Sequence, residues 1–294
     1  MATPHQRGIH RGDYEVVVVD NGSPQPALAS VPSGSEASIR LHRIDEAMAS
    51  PAHAANVGIS LARGELIGLV IDGARMASPG LVAQALLAST VVGRPVVTAP
   101  AWHLGPSPHA QAEAVGYDQT VEDDLLSRSA WEDDGYELFA IATPAPSSGR
   151  GLFGPMGESS SLFLHRDLWA ELGGLDERFA LPGGGMVNHD LYRRACALAG
   201  AQLVVLLGEG TFHQTHGGAA TSGRITRDEM RADYEAIRGE PHRPPSARAL
   251  YVGSVPPQYL QYIATSVELA QGAAEPHRRA AAGESEPQRG PERP

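Results

Sequence analysis

Four apolar runs constrain what this chain can fold into: YEVVVVD (14–20), ELIGLVIDGA (65–74), RPVVTAPAW (94–102) and AQLVVLL (201–207). They are short, apolar on both faces, and most of them end at turn-forming residues, which is the pattern of strands buried on both sides. Between them lie stretches of helical spacing: HAANVGISLARGE (53–65), SPGLVAQALLASTVVG (78–93) and NHDLYRRACALAG (188–200). Strands alternating with helices predict an α/β fold with a mostly parallel central sheet flanked by helices. Punctuation supports the helices: Ser78 is placed to cap, Pro79 suits a first turn, and Gly93 follows the end. Thr120 and Asp123 form a capping-box pattern, and Asn188 is a further cap candidate. ASIRLHRI (37–44) reads as a short strand, and residues 159–179 as a strand, a short helix and a turn. Residues 226–239 and 256–270 read as amphipathic helices. Residues 103–157 are rich in Pro, Gly, Ser and acid. From 271 to 294 the Ala, Glu, Pro, Arg and Gly composition predicts a disordered tail.

Charge and cysteine content narrow the class. The 294 residues carry a formal charge of -11, which argues against a general nucleic-acid binder, since that needs a basic face. Cys196 is the single cysteine, so no intramolecular disulfide forms, in keeping with a reducing compartment. No apolar run approaches the ~20 residues of a membrane span, and the first residues lack a signal-peptide core. The expectation is a cytoplasmic protein with no transmembrane segment.

In parallel α/β sheets, ligands bind beyond the carboxyl ends of the strands. Asp20 and Asp72 stand at two such ends, each followed by glycine-containing turns, so both are candidates to hold a ribose, a base or a metal. The alternative is that each merely caps its turn. After the last apolar run comes GEGTFHQTHGG (208–218), with His213 and His216 three apart in a glycine-rich loop. That spacing points to a metal or a polar substrate, against the simpler alternative of one packed and one solvated imidazole.

VVVVDNGSPQP, NVGISLARGELIGLVIDG, SSSLFLHRDLWAELGGLDERF, HDLYRRACALAGAQLVVL and FHQTHGG occur in that order over residues 14–218. Together they resemble the successive blocks of family 2 glycosyltransferases, the inverting nucleotide-sugar enzymes of the GT-A fold. The resemblance implies a single GT-A domain over 14–270, preceded by an extension (1–13) and followed by the tail. It implies that Asp20, with Asn21 beside it, contacts the nucleotide and that Asn56 to Gly58 lie next to it. Asp72 then belongs to the metal motif that grips the diphosphate, and the loop before the late helix carries the base. A His after the last strand, here His213, faces the diphosphate or metal.

The chain departs from that pattern. Only a dozen residues precede the VVVVD strand, where the family has an extra strand and helix. The metal motif reads Asp72-Gly73-Ala74, without its second carboxylate, and the usual Glu-Asp pair falls on Val187 and Asn188. Asp190 remains as first choice for the base, and Glu158, just before a strand, as second. His213 and His216 become candidates to complete a Mn²⁺ or Mg²⁺ site with Asp72, imidazole suiting Mn²⁺ better, or to donate hydrogen bonds to the diphosphate. Arg75 can pair with phosphate. Trp102, Trp131 and Tyr136 can stack on a sugar or pack in the core. Glu122–Asp124 and Glu132–Asp134 read as solvated faces or caps.

The function expected is transfer of a sugar from a nucleotide diphosphate donor to a hydroxyl acceptor with inversion. The acceptor is a glycan, a lipid-linked sugar or a natural product. Two alternatives stand beside it. One is a non-catalytic GT-A module that binds a nucleotide sugar or a partner. The other is a nucleotidyltransferase, for which DNGSPQP is too poor in glycine and basic residues.

Overall fold

A computed structural model describes residues 6–23, 38–71, 75–112, 116–215 and 225–281. The chain forms β1 (Glu15–Asp20), β2 (Ser38–Arg43), α1 (Ala52–Leu61), β3 (Leu66–Val70), β4 (Arg75–Ala77), α2 (Leu81–Val91), β5 (Pro95–Thr98), β6 (Ala101–Leu104), α3 (His109–Ala112) and α4 (Gln119–Ser127). It continues through β7 (Ala142–Pro144), β8 (Ser161–His165), α5 (Arg166–Leu172), α6 (Val187–Cys196), β9 (Gln202–Leu207), β10 (Thr211–His213), α7 (Arg227–Arg238), β11 (Ala249–Gly253) and α8 (Leu260–Ala281). The fold is α/β, one domain of sheets flanked by helices, as the alternation predicts.

The central sheet has the order β11-β9-β5-β8-β3. β11, β9 and β5 pair in parallel, and β8 is antiparallel to both β5 and β3. Four strands therefore share one direction and β8 alone is reversed. A second sheet, β4-β10-β6-β7, stands at the end of the first. β1 and β2 form a separate parallel pair.

Burial follows from the sequence pattern. β5 is buried throughout and β9 over its four central residues. α2 places Leu81, Ala85 and Ala88 on one face at helical spacing, and they pack with Val97, Phe163, Val204 and Leu206 of the sheet. The opposite side of the sheet carries the larger core, with Leu162, Leu164, Trp169 and Tyr192. Trp102 is 3% exposed and sits among Phe139, Phe212, Tyr259 and Tyr262, so it is a core residue and not a sugar-stacking platform.

Several expectations are corrected. RPVVTAPAW is two strands: Pro100, with no amide hydrogen to donate, separates β5 in one sheet from β6 in the other. Gly80 and not Ser78 is the N-cap of α2, and the Ser78 hydroxyl is turned to Glu209. Asp118 caps α4 by accepting from the Val121 amide, two residues ahead of the expected Thr120. Met186, without a side-chain hydrogen bond, precedes α6, so Asn188 is not its cap. α7 does have a capping box, between Thr226 and Glu229. α8 runs to Ala281, so the first part of the expected disordered tail is helical; its alanines favour that state. The remaining tail lies outside the described residues. Among the described residues no helix is long and apolar enough to cross a membrane.

Candidate functional site

Three sequence-distant blocks meet at the end of β3. The Ile71 amide donates to Ser160 O (3.3 Å), which places the residues ahead of β8 against the β3 exit. The Ser160 and Thr211 hydroxyls are hydrogen-bonded at 2.9 Å, both buried. His213 is the register partner of Arg75 on one side and of His103 on the other. Asp72 lies in the connection between β3 and β4, outside the described residues, as does His216.

Gly208 and Gly210, between β9 and β10, have a structural reason. Gly208 has φ +72°, in the left-handed region. A Cβ on Gly210 would stand 2.8 Å from the Trp102 ring. Between them Glu209 is fully buried, and its carboxylate accepts from the Ser78 hydroxyl (2.5 Å), the Tyr136 hydroxyl (2.9 Å) and the Gly80 amide (3.1 Å). Tyr136 thereby holds β10 in place and does not present itself to a sugar. Burial pushes the Glu209 carboxyl up to about 6, against the lowering effect of these three donors. Because the folded chain holds this proton up to about pH 6 and the unfolded chain only to about 4.5, protons favour folding in that window. The contribution of Glu209 to stability falls as pH rises from about 4.5 to 6, by about 2 kcal/mol at about 1.4 kcal/mol per unit. Glu209→Ala is expected to cost about 2–3 kcal/mol at neutral pH, because two hydroxyls and an amide lose their buried acceptor; urea unfolding at pH 7 measures it.

His213 does not stand alone. His103 from β6 and His109 from α3 join it, with one nitrogen of each ring within 4.8 Å of the others. His109 is fully buried and His213 5% exposed. The ring centroids lie 4.4 Å (His103–His109), 5.1 Å (His109–His213) and 5.3 Å (His103–His213) apart. His109 Nε2 is 3.1 Å from Leu104 O and 3.8 Å from Glu122 Oε2. Both neighbours are acceptors, so in the neutral ring Nε2 carries the hydrogen and Nδ1 the lone pair. Glu122 is 2% exposed, not a solvated face, and accepts from the Thr215 amide (3.0 Å) and the Tyr117 hydroxyl (3.3 Å). Sequence reading missed His103 and His109; two histidines flanking LGPSP were the available signal.

The resemblance implies a divalent cation, and this donor set bears on which. Three imidazoles suit Mn²⁺ or a later first-row ion and do not suit Mg²⁺, which takes oxygen ligands. Of the expected ligands Asp72, His213 and His216, only His213 lies among the described residues.

A second constellation lies at the start of α6. His189 Nδ1 is 3.4 Å from Glu158 Oε2, and both side chains are a little over a quarter exposed. His242 packs edge-on against His189 at 5.1 Å. Burial, then the nearby His189 and Arg193, lower His242 to about 4, so it stays neutral at working pH.

Asp190 is placed differently. It is fully buried, with Arg194 Nε at 2.7 Å and Arg238 Nε and Nη2 at 2.6 Å. Both its oxygens are engaged by guanidinium groups, which makes it a structural anchor between α6 and α7. Asp20 accepts from the Ser23 amide and pairs with Arg43 at 2.5 Å, joining β1 to β2. Asn21 clamps the backbone of Met48 through both ends of its amide. Asn56 does the same to Leu175 while also donating to Glu177. Gly58 lets α1 approach Val19, where a Cβ would stand 3.2 Å from that side chain. Arg75 Nε, at the start of β4, donates to Ile71 O just beyond β3.

No family model and no curated protein matches the chain. Solved structures do. S. aureus TarS 1–349 in complex with UDP-GlcNAc has 11% identity and a TM-score of 0.48, covering 80% of this chain and 61% of that one. The same protein in complex with UDP has 11% identity and a TM-score of 0.46, over 74% and 55%. GalNAc-T7 with UDP, GalNAc and Mn²⁺ has 14% identity and a TM-score of 0.43, over 78% and 46%. The chain thus spans about half the length of the structures it resembles.

Proposed function

We propose that the chain transfers a sugar from a nucleotide diphosphate donor to a hydroxyl acceptor with inversion, residues 14–270 acting as one GT-A unit. The observation that carries this reading is the convergence at the β3 exit. The end of β3, the SSSLF block and β10 lie far apart in sequence, and Ile71, Ser160, Thr211, His213 and Arg75 interlock them there. A donor diphosphate laid against the β3 exit would meet Arg75 and His213, with Asp20 and Asn21 as the proposed contacts to the nucleoside. Held at Asp72 together with the diphosphate, a divalent cation would supply positive charge for its departure.

The acceptor needs a base. Asp190 is enclosed by two arginines, so the role passes to the pair Glu158–His189. In this arrangement His189 takes the acceptor proton, and Glu158, at Nδ1, orients the ring and stabilises the imidazolium that forms. Asn188 and Val187 offer no such chemistry.

Calorimetric titration with UDP, GDP, ADP and CDP, with and without Mn²⁺, tests the reading. Saturable binding of at least one of them is expected, weakened tenfold or more (about 1.4 kcal/mol) by His213→Ala. Binding without any turnover would instead favour a non-catalytic module. If none binds under either condition, the transferase reading is lost.

A further inference from the structure

The imidazole cluster is a built site in its own right. β6 and β10 are parallel neighbours, and their register sets His103 beside His213. The turn after β6 then brings His109 back over both rings. The nitrogens span up to 4.8 Å, whereas three nitrogens held at about 2.0–2.1 Å from a tetrahedral zinc stand roughly 3.4 Å apart. Small side-chain rotations close that difference. The surroundings are those of a ligand set. Leu104 O and Glu122 both face Nε2 of His109, which fixes its orientation and directs the other nitrogen to the cluster. Glu122 is itself held by Thr215, two residues beyond His213, so one carboxylate braces two of the three ligand-bearing segments. A buried carboxylate beside three imidazoles is a costly arrangement in an apolar interior, and a dication offsets it.

We propose that His103, His109 and His213 bind one zinc-class cation in the absence of nucleotide, with Glu122 as the outer partner that positions His109. This ion is distinct from a Mg²⁺ or Mn²⁺ that binds together with a diphosphate through Asp72, and its site stands whether or not the chain transfers sugars. Loading changes one hydrogen bond. The His109 amide donates to His103 Nδ1 at 2.8 Å. If His103 ligates through Nδ1 it gives up that bond; if it ligates through Nε2, Nδ1 must carry a hydrogen. Either way the amide loses its acceptor, so the 105–109 turn is the part that adjusts, and Gly105, at φ +102°, supplies its backbone freedom.

The test uses the full chain without a histidine tag and without nucleotide. Titration with Zn²⁺ is expected to give one tight site per chain, and Mg²⁺ none. Co²⁺ is expected to produce visible d–d absorption of a nitrogen-ligated ion. His103→Ala and His109→Ala are each expected to weaken Zn²⁺ at least tenfold, while His42→Ala, at an exposed position in β2, leaves it unchanged. X-ray absorption on the zinc-loaded natural chain is expected to show three imidazoles, and needs no variant to fold. Absence of a tight zinc site, equal affinity in the His103 and His109 variants, or a shell with fewer than three imidazoles overturns the proposal. Repeating the nucleotide titrations on zinc-loaded chain separates the two readings. Zinc binding with no nucleotide binding removes the transferase and leaves the site. Nucleotide binding with no zinc site does the reverse.

Discussion

Replacement of Asp190 by alanine is expected to lower the unfolding free energy by about 3–5 kcal/mol, the range for breaking a buried pair by removing one partner. The reason is geometric. Arg194 also donates to Leu172 O and Gly174 O, and Arg238 also pairs with Asp176 at 2.9 Å and lies over the Phe179 ring. Both guanidiniums are therefore fixed where they are, and without Asp190 they face each other's charge. Asp176, held down first by its hydrogen bonds from Arg178 and also by the charge of Arg238, stays ionised but lies at the rim. Asp190→Asn keeps the shape and loses the charge, so most of the loss is expected to remain. Denaturant unfolding of both variants, with Arg238→Gln and the double variant as a cycle, measures the coupling. A loss below about 1 kcal/mol would show that the pairing contributes little and would return Asp190 to consideration as the base.

The second large effect is on rate. His189→Asn is expected to lower sugar transfer, or donor hydrolysis where water serves as acceptor, by about 10²–10⁴-fold, the usual contribution of a general base. Nucleotide affinity should stay within about twofold, because the neighbours of His189 are Glu158 and His242 and not the residues proposed to hold the diphosphate. Glu158→Gln removes the orienting charge and is expected to cost less, about tenfold. The discriminating readout is the split between kcat and KM: His189→Asn should lower kcat and leave the donor KM unchanged. A rate for His189→Asn within threefold of the natural chain would sink the assignment.

The layers of this fold are legible in the sequence because strands in the sheet interior leave an unbroken apolar run: β5 and β9 are buried along most of their length, whereas β1 and β3, equally apolar, are mostly only half-buried. What pattern does not carry is direction: SSSLFLH reads the same whether β8 runs with its neighbours or against them. Three-residue strands such as β4 and β10 are too short to show a period at all. Their existence depends on pairing partners, not on local preference. At the candidate site His213 was visible because its loop is conspicuous. His103 and His109 were hidden in a proline-rich stretch that resembles a loop of no consequence. Glu209 was hidden for a different reason: a charged residue between two glycines looks solvated, and only the convergence of Ser78, Gly80 and Tyr136 makes its burial possible. The i,i+4 spacing of Asp190 and Arg194 was readable, yet the second arginine arrives from another helix.

The order of the central sheet has a consequence for how the protein is made. Leu66 pairs with His165, Val97 with Phe163, Val96 with Leu203 and Leu203 with Ala249. No pairing in that sheet is a hairpin, so each must close a loop of dozens of residues before it gains anything. During synthesis β3 and β5 leave the ribosome before any neighbour in this sheet exists. They remain without strand partners until β8 emerges between them, and β9 must then add to the far side of β5. β8 is thus the keystone of assembly as well as the reversed strand, and the apolar segments that precede it pass through a long interval in which a chaperone is their natural cover.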